Sequence, residues 1–119
     1  MGRFNSFEEI TSWQKAREFN KRLYLLTQEA EFAQDLDLAR QIRRASVSIS
    51  SNIAEGFERN TDKEFKFFLY VAKASAGEVR SQLYLAHDLN YLSTEKFNTL
   101  INEVSDISRL ISGLIKYLK

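Results

Sequence analysis

The stretch QIRRASVSISSNIAEGFER, residues 41–59, decides the fold. Its apolar residues Ile42, Ala45, Ile49 and Ile53 fall at the three- and four-residue steps of one helix face. Between them stand Ser46, Ser48, Ser50 and Ser51. Serine is an indifferent helix former, so propensity does not account for four of them in one helix. Small side chains do let a neighbouring backbone come close, so this helix is expected to be the central packing surface. Gly56, near its end but followed by Phe57, reads either as a close helix contact or as an early C-cap.

Working upstream, Asp35 is the expected N-cap, and with Asp37 it suits the positive end of the dipole. The helix is therefore expected over 36–59. Residues 30–35 are acidic and patternless and read as a loop. Ahead of them, Thr11 and Gln14 have the spacing of a capping box, opening a first helix over 12–29. Its apolar stripe is Trp13, Ala16, Phe19, Leu23 and Leu26, with a basic flank of Lys15, Arg17, Lys21 and Arg22. Residues 1–10 read as an irregular lead-in whose Phe4, Phe7 and Ile10 fold back onto the helices.

Downstream, Thr61 and Glu64 form a second capping box. The helix it opens runs to about residue 90, with Phe65, Phe68, Leu69, Ala72, Ala76, Val79, Leu83 and Ala86 on one face. Ser93 caps the next helix, and Leu92 is placed to staple onto Phe97. Phe97, Leu100, Val104, Ile107, Ile111, Leu114 and Leu118 then alternate in steps of three and four, a packing seam. Four helices with short connections predict an all-α, antiparallel up-down-up-down four-helix bundle. Residues 1–119 are expected to form one domain, since a second core would not fit.

Composition narrows the function classes. The formal net charge is +1, so any case for nucleic-acid binding rests on local clustering. Cysteine is absent, which excludes disulfides and thiolate chemistry. The N-terminal MGRFNSFEEI lacks the apolar core of a signal peptide, and no apolar run approaches a membrane span. A cytoplasmic protein is expected. Proline is also absent, which favours long uninterrupted helices.

The segment QIRRASVSISSNIAEGFERN, followed by KEFKFFLYVAKASAGEVRSQLYLAHDLNYL, resembles the 23S rRNA-intervening-sequence proteins. The opening Trp13-Gln14-Lys15-Ala16 is similar to that family's first helix. The common family form carries proline within the Ser-Ile-x-Ser-Asn segment, where Ser50 stands here. The resemblance implies a four-helix bundle assembled into a homo-oligomeric ring, a pentamer. Similar bundles serve retroelement reverse transcriptases as accessory proteins, with a basic ring that holds nucleic acid.

Read from the residues, Arg40, Arg43 and Arg44 form a basic patch in the N-terminal half of the second predicted helix, where the dipole opposes cations. They read either as phosphate contacts or as ion pairs within the protein or across a subunit boundary. With Lys15, Lys21 and Arg22 they are the candidate nucleic-acid-binding residues. Asn52, Glu55, Ser75 and Glu78 are polar positions on the two most apolar helices and need partners. A structural network is expected, in which the two carboxylates meet Arg43 or Arg44 and fix subunit register. The competing reading is a catalytic carboxylate pair. Phe67, Tyr70 and Tyr84 lie off the core stripe and are expected at an oligomer interface, where aromatics are enriched.

No catalytic residue, metal ligand or cofactor is assigned. A ferritin-like site needs two Glu-x-x-His motifs, and Tyr84 stands three before the sole histidine, His87. The chain is expected to be a non-enzymatic homo-oligomeric binding or scaffold module whose partner is RNA or a nucleic-acid-handling protein. One rival is a ribonuclease using Arg80 and His87, whose spacing resembles the Arg-x4–6-His element of helical HEPN ribonucleases. The other is a purely structural oligomer with a different protein partner.

Overall fold

A computed structural model describes residues 4–118. Residues 1–3 of the expected lead-in lie outside that range. Among the described residues there are five α-helices and no strand. A 3-10 turn at Phe7–Glu9 is followed by α1 (Thr11–Leu26), α2 (Ala30–Gln34), α3 (Leu36–Phe57), α4 (Asp62–Asp88) and α5 (Thr94–Tyr117). The four long helices contact one another in a closed cycle, α1 with α3, α3 with α4, α4 with α5 and α5 with α1. The protein measures 46 × 21 × 19 Å. At about 1.5 Å per residue the long helices account for the long dimension. Among the described residues no helix is long and apolar enough to cross a membrane.

The apolar periodicities become the core. Ile42, Ala45, Ile49 and Ile53 of α3 are buried, as is every member of the α5 seam from Phe97 to Leu118. The α4 stripe is buried except for Phe68, which is half-buried. Phe4 and Phe7 pack against this core and Ile10 is inside it, so the lead-in folds back as expected. Asp35, Thr61 and Ser93 cap α3, α4 and α5. Their side-chain oxygens accept from the amides of Leu38, Glu64 and Lys96, each at 3.1 Å.

Two local expectations are corrected. Thr11 does not cap α1. Ile10 holds the cap position in an extended conformation because its side chain is buried, which makes Thr11 the first helical residue. Gln14 instead donates to the Glu8 carbonyl oxygen at 2.7 Å. The expected loop over 30–35 is mostly helical, as α2. Its Phe32 is fully buried and packs on Tyr91, ring centroids 5.3 Å apart. The Tyr91 hydroxyl donates to Asp35 Oδ2 at 2.9 Å, so the two connections are tied together. That hydrogen bond, first, and then burial and the nearby carboxylates hold the Tyr91 phenol above its usual pKa.

Of the two readings of Gly56, the close contact holds. A Cβ there would lie 2.7 Å from Phe68 Cβ and 3.0 Å from Phe65 Cδ1, so α3 and α4 touch at a point that admits no side chain. α3 continues through Ser50 and Gly56 to Phe57 as one helix. Gly77 of α4 has open space around the same position. Gly56→Ala should therefore destabilise the protein by about 1–3 kcal/mol through overpacking. Gly77→Ala should stabilise it by up to about 1 kcal/mol through helix propensity. Chemical denaturation of both variants checks this; the same sign for both would refute the close approach.

Candidate nucleic-acid interface and its polar support

Arg40 and Arg44 are four residues apart on α3 and share one face. Both are exposed, and among the described residues neither has an ion-pair or hydrogen-bond partner. Arg43 lies about 100° round the helix from Arg44 and does something different. Its Nε donates to Thr27 Oγ1 at 2.7 Å, and its guanidinium lies 4.8 Å from the centre of the Tyr24 ring. Thr27 is buried and donates its own proton back into the last turn of α1, to the carbonyl of Leu23 or Tyr24. Arg43 therefore fastens α3 to the end of α1.

The basic flank of α1 divides in two. Lys15 and Arg22 are seven residues apart and face α5. Arg22 pairs with Glu103, and Lys15 lines the same cleft with Glu18 and Asp106. Lys21 is exposed in a different depression, beside Trp13 and Arg17. Within one chain the six candidate cations do not converge. Arg22 and Arg43 are engaged, Lys15 stands among carboxylates, and Lys21, Arg40 and Arg44 remain open to solvent.

Within the chain two of the expected network residues, Asn52 and Ser75, come together and the two glutamates do not join them. Asn52 Nδ2 donates to the carbonyl and the hydroxyl of Ser48, at 2.8 and 2.9 Å. Ser48 Oγ lies 2.9 Å from Ser75 Oγ of α4. Asn52 and Ser75 are thus joined through Ser48. Glu55 and Glu78 stand apart from them. Glu55 pairs with Arg59 at 2.9 Å, and Glu78 accepts from Gln82 at 3.2 Å. Both carboxylates are exposed, and within the chain neither meets Arg43 or Arg44. They fall on outward positions one turn from their own partners.

On the opposite side of α3, Ser46 Oγ donates to Asn20 Oδ1 at 2.5 Å, and Asn20 Nδ2 donates to Ser50 Oγ at 3.0 Å. One α1 amide satisfies two buried serines. Asn20 and Thr27 were not singled out in the sequence. Their signal was there, as two polar residues seven apart on the margin of the Phe19–Leu23–Leu26 stripe.

The His87 ring stacks on Phe97 with centroids 4.5 Å apart, and its Nε2 lies 3.2 Å from Thr94 Oγ1. Arg80 is exposed two turns earlier on α4. No group of three or more potential metal ligands assembles among the described residues.

In sequence, residues 8–113 match the model of a family described as 23S rRNA-intervening sequence protein. No curated protein matches the chain. Among solved structures it is similar to a protein of unknown function from the S23 ribosomal protein family of Bacteroides thetaiotaomicron. The two share 25% identity with a TM-score of 0.82, over 88% of this chain and 95% of the other.

The two adjacent arginines should separate on substitution. Arg43→Ala removes a charged hydrogen bond and a cation–π interaction, and should cost about 1–3 kcal/mol of stability. Arg44→Ala should stay within about 0.5 kcal/mol of the parent, as an open surface position. Urea unfolding of both variants measures the difference, and equal losses would remove the assignment.

Proposed function

The chain belongs to the 23S rRNA-intervening sequence protein family, and on that premise we propose a non-enzymatic, homo-oligomeric binding module. It engages RNA, or a protein that handles nucleic acid, through the basic residues of α1 and α3. In this reading α1, α3, α4 and α5 are the arms of an antiparallel up-down-up-down four-helix bundle. Copies assemble as a pentamer, and the module works in the cytoplasm.

The observation that best supports the reading is the Arg40–Arg44 pair. Two guanidinium groups one turn apart stand in solvent without carboxylate partners among the described residues. They lie beyond the first turn of α3, so the helix dipole gives no reason for them. Guanidinium binds phosphate bidentately. Assembly is supported by large apolar side chains left exposed, among them Tyr24 and Val47 near Arg43, and Tyr84, Leu85 and Leu89 on α4. Assembly would also multiply a patch that is small in one copy.

The ribonuclease reading draws less support. The His87 ring is stacked on Phe97 and held at Thr94, an arrangement that suits a packing role at the end of α4. Purified protein that cleaves RNA without metal, and loses that activity in His87→Ala, would overturn the non-enzymatic reading.

Light scattering at micromolar concentration should give a multiple of the 13.9 kDa chain mass. The monomer mass would remove the assembly. RNA affinity should fall steeply with salt, and Arg40→Gln with Arg44→Gln should flatten the log–log slope by about 0.7 for each phosphate the arginines neutralise. Base sequence should matter little, because groups that hold phosphate position the ligand without reading it. A slope unchanged in the double variant, with the oligomer intact, would count against this surface.

A further inference from the structure

A second basic surface lies on α4, away from Arg40 and Arg44. Lys63, Lys66, Phe67 and Tyr70 line one shallow depression on its outward side. Phe67 is 63% exposed and Tyr70 57%, so neither contributes its ring to the core. Lys73 continues the same side one turn on, and beyond it the small residues Ala74 and Gly77 keep the surface low. Residues three and four apart are neighbours on a helix surface, so rings and ammonium groups alternate here. None of the three lysines has an ion-pair partner among the described residues. Two acids, Asp62 and Glu64, stand beside Lys63 in the first turn of α4, and Glu64 is engaged with Thr61 at the helix start.

The patch is also braced. The Phe67 ring meets Phe68 edge-on, centroids 5.3 Å apart at 87°. Phe68 in turn seats its Cβ against Gly56, at the tightest point between α3 and α4. The outer ring therefore stands on a fixed base, and a ligand that stacks on it has less to order.

We propose that Lys63, Lys66, Phe67 and Tyr70 form a binding site for single-stranded nucleic acid, with the rings stacking on successive bases and the lysines holding the flanking phosphates. The chemistry selects this occupant over the alternatives. Exposed aromatics offer a face to any unpaired base, and ammonium groups track the backbone. A duplex keeps its bases inside the stack and cannot use the rings. A second copy of the chain would have to bury unpaired lysines, which are depleted from interface cores. The site does not depend on Arg40 and Arg44 and reads a different part of the ligand.

The test measures fluorescence anisotropy of labelled single-stranded oligouridine, oligothymidine and a duplex of matched length, at about 50 mM salt and above. Single strands of either sugar should bind and the duplex should bind more weakly. Phe67→Ala with Tyr70→Ala should lose about tenfold or more affinity for single strands with the salt slope kept. Phe67→Tyr should retain binding. Lys63→Gln with Lys66→Gln should flatten the slope by about 1.4, equivalent to two phosphates. Lys63, Phe67 and Tyr70 are exposed and Lys66 is half-buried, and circular dichroism checks that the helices persist. Several outcomes would overturn the site: no single-strand binding, a duplex preference, or unchanged affinity in the aromatic variant. A fall in oligomer mass in that variant would also overturn it, making the patch an interface between copies. Loss of binding in the Arg40–Arg44 variant alone would leave the arginine surface standing and remove this site.

Discussion

α3 is packed by α1, α2 and α4 at once, and that crowding decides what its surface can carry. Its large buried residues lie along the inward row of Leu38, Ile42, Ile49 and Ile53. Toward α4 the approach narrows until only glycine fits at position 56. Toward α1 the space takes serine. Each buried hydroxyl must then find a partner, because an unpaired buried polar group costs about 1–3 kcal/mol. Asn20 answers Ser46 and Ser50 on one side, and Ser75 with Asn52 answers Ser48 on the other. The serine run is therefore a set of two directed attachments as well as a set of small residues. Hydrogen bonds have direction where close packing does not, so they also help to set the register of α3 against its neighbours.

What could be read in the sequence follows from the range of the interaction involved. The α5 seam and the caps at Asp35, Thr61 and Ser93 are local patterns, and they fold as the local chemistry requires. Thr11 shows the limit of such patterns. The burial of Ile10 moved the helix start, and no spacing rule contains that burial. α2 shows it more sharply. Five residues make a marginal helix alone, and α2 exists where Phe32 can bury itself on Tyr91, far along the chain. The adjacent arginines look alike in sequence, yet a rotation of about 100° gives one a threonine and a tyrosine and leaves the other in water. Phe67 and Tyr70 were visible as off-stripe positions, but the lysines beside them were not singled out. Their common depression needed the three-dimensional surface.

Charge is distributed unevenly even though it nearly cancels. Glu31, Asp35 and Asp37 line one depression around the start of α3. Lys63 and Lys66 line another near the start of α4. A polyanion is repelled by the first and attracted by the second, so near-neutral net charge understates how strongly the molecule can orient a charged ligand.

The tie between Asp35 and Tyr91 has a consequence for how the protein opens. These residues are 56 positions apart, whereas α3 and α4 are joined by residues 58–61 alone. Loop-closure entropy rises with the length enclosed, so the α3–α4 pairing closes at less entropic cost than the tie at the other end. The Asp35 end should correspondingly be the first to fray and the last to re-form, and amide exchange there should run ahead of exchange beside Gly56. Asp35 and Gly56 sit at opposite ends of α3, roughly 30 Å apart along its axis. Local unfolding would then begin at the acidic end and leave the other end closed, giving the molecule one breathing end and one rigid end.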